Sequence, residues 1–101
     1  MSMTLAAFCD MLSDIAPPED VPSACRALWY AGRGNWDAAH ALVQDGASLE
    51  DCEVHGYLHR REGDAANAAY WYRQAGRPVA SGPLEAEWQA MAQRMLSRSS
   101  S

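Results

Sequence analysis

Gly34-Asn35-Trp36-Asp37-Ala38-Ala39 and Gly63-Asp64-Ala65-Ala66-Asn67-Ala68 lie 29 residues apart and follow one pattern. Each places a glycine, the residue that most readily takes a left-handed backbone, before Asn or Asp, whose short side chain can accept from the exposed N–H groups of a helix's first turn. Each is then the corner of a helix-turn-helix pair. An amphipathic pair of this length cannot bury its own apolar face, so two in succession are expected to stack. The reading is all-α: two stacked helix-turn-helix hairpins, units at about 22–46 and 48–78, inside a single domain spanning 1–98.

Outward from these corners the helices take shape. Ala24, Ala27, Leu28 and Ala31 mark one face of the helix entering the first corner, with Asp20 as its cap and Pro22 tolerated in its first turn. The helix leaving it runs to about Gln44, and Gly46 is expected to close it in the left-handed conformation. Ser48 and Asp51 form an approximate capping box for the helix that ends at Glu62. Ala65, Ala68, Ala69, Tyr72 and Ala75 line the next, which stops at Gly76 and Pro78. Leu5, Phe8, Cys9, Leu12 and Ile15 predict a capping helix over about 4–14, ended by Pro17 and Pro18. Leu84, Trp88, Met91 and Met95 predict another over about 84–97, and residues 99–101 read as a disordered tail.

Composition supports helix and restricts function. Nineteen alanines lose little freedom in a helix, and no segment alternates as a strand does. The net charge of −5 argues against nucleic-acid and anionic-membrane partners, which need a basic footprint. All eight basic residues are Arg, six of them in residues 55–101, so the second half is net positive. No signal-peptide pattern opens the chain. Three cysteines, Cys9, Cys25 and Cys52, are an odd number without knuckle pairing, which implies reduced thiols and a cytoplasmic location.

The corners and the spacing resemble the tetratricopeptide and related short-repeat superfamily over about residues 22–78. Its helices carry a small residue, an aromatic one turn later, a turn glycine, then Ala, a large apolar residue and Ala. Ala27, Tyr30, Gly34, Ala39 and Val43 fall on those positions in the first unit. Gly56, Gly63, Ala68, Tyr72 and Ala75 fall on them in the second, with Pro78 near the closing proline. His59 replaces the aromatic of the second unit, and His55 the aliphatic residue one turn before it. The block from His55 to Arg73 also resembles a group of short bacterial and fungal proteins. What the repeat resemblance implies is a surface for a protein or peptide partner, without a cofactor and without catalytic residues.

Tyr57, Arg60, Arg61, Tyr70, Trp71, Arg73 and Arg77 are the candidate partner-binding residues, because Trp, Tyr and Arg combine large rigid area with directional donors. Replacing Arg60 and Arg61 by Ala is expected to abolish partner capture. A homodimer through the Met and Trp face of the C-terminal helix is a further option. The competing reading is chemical. Cys52, His55 and His59 share one helix face at i, i+3 and i+7, a donor set suited to Zn²⁺, with Glu62 one turn on. His40 would join only if its helix crosses there. As acid–base residues, His55 or His59 would need Glu62 or Asp64 to orient the ring. Packed, hydrogen-bonded histidines are the structural alternative.

Overall fold

The computed structural model describes residues 3–98, and all regular structure among them is helical. Its elements are α1 (Leu5–Asp10), a 3₁₀ turn (Met11–Ser13), α2 (Ser23–Gly32), α3 (Trp36–Val43), α4 (Leu49–Arg61), α5 (Ala65–Gln74) and α6 (Leu84–Arg98). Residues 99–101, expected to be a tail, lie outside the described residues.

The two corners share the same backbone dihedrals and hydrogen bonds. Gly34 and Gly63 have φ of 78° and 88°, and the caps Asn35 and Asp64 have φ/ψ of −95°/77° and −95°/79°. Asn35 Oδ1 accepts from Ala38 N and Asp64 Oδ1 from Asn67 N, each at 3.2 Å. The preceding helices close identically: Asn35 N donates to Tyr30 O and Asp64 N to His59 O, both at 2.9 Å. Gly76, φ 71°, repeats this closure at the end of α5, where Arg77 N donates to Tyr72 O at 3.0 Å. Thus α2–α3 and α4–α5 are two hairpins built on one local solution. They stack through α3 against α4 and α2 against α4, while α6 packs on α2 and α4 and α1 packs on α6.

Close approach explains another glycine. A Cβ on Gly56 would sit 3.2 Å from Ala68 O and 3.3 Å from the Tyr72 ring, so its absence lets α4 and α5 pack closely. Gly46 differs from expectation. It is not among the positive-φ glycines; a Cβ there would meet the Asp51 carboxylate at 2.2 Å, so the position needs smallness rather than a left-handed backbone. Asp20 is not the cap of α2 either: the helix starts three residues later, behind Pro22, without a side-chain cap.

The core comprises Phe8, Leu28, Trp29, Val43, Val54, Tyr57, Leu58, Met91 and Leu96, all buried. Indole N–H groups stitch it together. Trp29 Nε1 donates to Met11 O (2.7 Å), and Trp88 Nε1 donates to Leu28 O (2.8 Å). Arg33 donates to the carbonyls of Leu12 and Asp14, so the residue that caps the end of α2 satisfies backbone acceptors that the 3₁₀ turn leaves open. Beyond that point Ile15, expected on the apolar face, is fully exposed because the 3₁₀ turn has ended the helix. Trp88, Met91 and Met95 are buried within the chain's own core, so the stripe considered for a homodimer is already covered.

Charged groups tie α6 to α4 and α5. Glu53, only 6% exposed, accepts from Arg94 at 3.0 and 2.7 Å and faces Arg77 Nε at 3.6 Å. Glu87 accepts from Arg60 at 2.7 Å and from the Tyr72 hydroxyl.

Candidate metal centre

α3 leaves the first corner and crosses the C-terminal half of α4, and three imidazoles meet at that crossing. Their nearest ring nitrogens, from His40 on α3 and His55 and His59 on α4, all lie within 4.8 Å of one another. His55 and His59 share a face because they are four residues apart on one helix, and His40 is brought in by the hairpin stack. The Nε2 atoms of His40 and His55 are 3.0 Å apart, so one ring donates and the other accepts.

Each imidazole is oriented by a neighbour. His59 Nδ1 is 3.0 Å from Glu62 Oε2; when it donates to that carboxylate, Nε2 keeps the lone pair. The Trp36 ring stacks on His40 at 4.7 Å between centroids, and its Nε1 donates to Leu58 O at 2.6 Å, which pins the indole to α4. Trp71 stacks on His55 at 4.0 Å. Hydrogen bonding, however, accounts for only part of this cluster. Nδ1 of His55, a residue 4% exposed, has no hydrogen-bond partner among the described residues. Such a group costs about 1–3 kcal/mol.

The electrostatics favour neutral rings at His55 and His40. Burial, followed by the charges that His40 and His59 could carry, lowers the His55 pKa to about 4. Burial and His59 also lower that of His40, against the weaker opposing pull of Glu62 and Asp37. A neutral imidazole has a lone pair free for a metal; an imidazolium does not. For tetrahedral Zn²⁺ with bonds of about 2.0–2.1 Å, ligand nitrogens stand about 3.3 Å apart. The trio is therefore within about 1.5 Å of ligation distance.

The expected chemical residues divide accordingly. His55 and His59 come together as their spacing implies, whereas Cys52 is not part of the group. Its thiol is buried and pushed up in pKa, first by burial and then by Asp51, which disfavours the thiolate a metal requires. His40, legible only as a conditional member, takes the third place. Asp64 is spent as the cap of α5.

The candidate partner-binding residues scatter. Tyr57 is fully buried, its hydroxyl accepting from exposed Arg61 at 3.0 Å. Arg60 is held by Glu87 and the Gly82 carbonyl, and exposed Arg77 faces Glu53. Tyr70 is 50% exposed and meets partly buried Trp71 edge-on, with exposed Arg73 on the same helix. No helix among the described residues is long and apolar enough to cross a membrane. Compared with protein-family models, with curated proteins and with solved structures, the chain matches none.

Proposed function

We propose that this protein is a small helical metal-binding domain whose ligands are His40, His55 and His59. The observation that carries this reading is the convergence of three imidazoles from two helices to within 4.8 Å. The donor set selects the ion class: borderline imidazole nitrogens suit Zn²⁺, Co²⁺, Ni²⁺ or Cu²⁺, whereas Mg²⁺ and Ca²⁺ demand oxygen. Glu62 behind His59 is the carboxylate–histidine arrangement that raises ligand basicity, and the neutral state of His40 and His55 removes the proton competition at pH 7.

Metal titration tests it. One equivalent of Zn²⁺ or Co²⁺ should bind, and ion at 100 times its Kd stabilises by about 2.7 kcal/mol. In a domain of this size each kcal/mol is worth about 4–8 °C in Tm. His40→Ala, His55→Ala and His59→Ala should each remove the shift. A wild-type chain whose Tm is unmoved by either ion refutes the reading.

A second reading, a peptide-binding module of tetratricopeptide-like design, is favoured by one observation: half-exposed Tyr70 beside Trp71 and Arg73 on α5. Here the binding residues reduce to Tyr70, Trp71 and Arg73, since Tyr57 has no surface and Arg60 is engaged internally. Paired substitution of Tyr70 and Arg73 by Ala should then abolish partner capture with Tm unchanged.

A further inference from the structure

The proposed ligand set is incomplete in number and in charge. Three neutral imidazoles give a tetrahedral ion three bonds and compensate none of its two positive charges. No His, Cys, Asp or Glu among the described residues adds a fourth donor to the trio. Glu62, the nearest carboxylate by hydrogen bonding, is engaged with His59 Nδ1, where it acts on the ring rather than on an ion. Cys52 stands apart with a thiol that resists ionisation. Resting on the metal reading above, we infer that the fourth position of this centre is open and takes an exchangeable carboxylate from outside the chain.

Exposure and charge support this assignment. His55 and His59 are buried at 4% and 8%, but His40 is only partly buried and the Glu62 side chain is 41% exposed. His40 and Glu62 are therefore the members of the group nearest the surface, the side from which an exchangeable ligand would enter. The rest of the surroundings are dry. Trp36 stacks on His40 and approaches His59 edge-on at 5.8 Å, and Trp71 covers the His55 ring. Flat apolar walls lower the local dielectric and strengthen attraction between the ion and an anion. A Zn²⁺ or Co²⁺ ion here would retain its full inner-sphere charge, with Glu62 and Asp37 as outer carboxylates acting through the ligands. Binding is simple exchange: one carboxylate oxygen forms a bond to the metal as one water leaves, with no change of oxidation state.

Cobalt substitution provides the experiment, because the visible bands of Co²⁺ respond to replacement of an inner-sphere ligand. The whole chain, loaded with one equivalent of Co²⁺, is titrated with sodium acetate at ionic strength held constant by sodium perchlorate. The inference expects a saturable change in the bands with acetate and none with perchlorate alone. A loaded protein whose spectrum ignores acetate would show the fourth position to be closed, overturning this inference while leaving the metal site standing. A response that appears only in Glu62→Gln would make Glu62 the fourth ligand and overturn it equally. Failure of Co²⁺ to load at all would remove the metal reading itself.

Discussion

At His55, burial and the neighbouring imidazoles of His40 and His59 act in the same direction, disfavouring the imidazolium. The ring cannot recover the loss by hydrogen bonding, since its Nδ1 has no partner among the described residues and its Nε2 faces another imidazole. The consequence for the metal-free protein follows from proton linkage. With the folded pKa near 4 and the ordinary value at 6.5, the unfolded chain binds more protons between those limits. Stability from this residue is therefore complete above about pH 6.5 and is lost as pH falls towards 4, by up to about 3 kcal/mol. His40 adds in the same sense, while Glu62 and Asp37 oppose it at His40. Urea unfolding at intervals between pH 7 and 4 should show this decline, and His55→Phe should flatten it. An unchanged slope in the variant would mean that other groups control acid stability. Trp36 works at the same scale. Its indole N–H holds it to Leu58 O while its face supports His40, so Trp36→Phe should weaken metal affinity by about 10-fold, the lower range for a supporting residue.

Among the helices, packing distance rather than propensity decides the important positions. Gly56 stands in the middle of α4, where Ala would ordinarily add about 1 kcal/mol. Here the added Cβ would press on the Ala68 carbonyl of α5 and on the ring of Tyr72, which is 1% exposed and bound to Glu87. The α5 backbone or the Tyr72 ring would have to give by a few tenths of an ångström, and overpacking of this kind costs about 1–3 kcal/mol. Gly56→Ala is thus expected to destabilise by about 0–2 kcal/mol net, measured by denaturant midpoint; a gain in stability would show that α4 and α5 separate easily. The caps were readable along the chain because their partners are local: Asn35, Ser48 and Asp64 each accept from a backbone N–H three residues on. Asp20 was not, because Pro22 delays the start of α2 beyond its reach. Gly46 misled for a related reason. A glycine after a helix suggests a left-handed closure, yet this one makes way for Asp51 from the next helix.

For the molecule as a whole, α6 is the element that closes the stack. Trp88 and the methionines fill the space above α2, and Glu53 of α4 holds α6 through the two-pronged contact with Arg94. Arg94 keeps 29% of its side chain exposed, so the pair is less costly to break than a fully buried one. Glu53→Ala should lower stability by about 2–3 kcal/mol, below the range for deep pairs because the stranded guanidinium can hydrate. Retention of wild-type stability would assign α6 docking to its apolar face alone. The same tertiary economy explains the scatter of the expected binding residues. Arginines that look available on the chain meet carboxylates on other helices: Arg60 is held by Glu87, and Arg77 faces Glu53 while staying exposed.

Periodicity, capping residues and the matched glycine corners, read from the chain alone, determined the all-helical class, the helix order and the duplicated hairpin. Those properties rest on interactions spanning a few residues, so spacing is enough to specify them. Spacing also placed His55 and His59 on one face of α4. The third imidazole, the exclusion of Cys52, the burial of Tyr57 and the burial of the α6 stripe were decided only by how the helices cross. Crossing is set by side-chain volumes packed between distant segments, and nothing within a single segment encodes which face its neighbour will occupy.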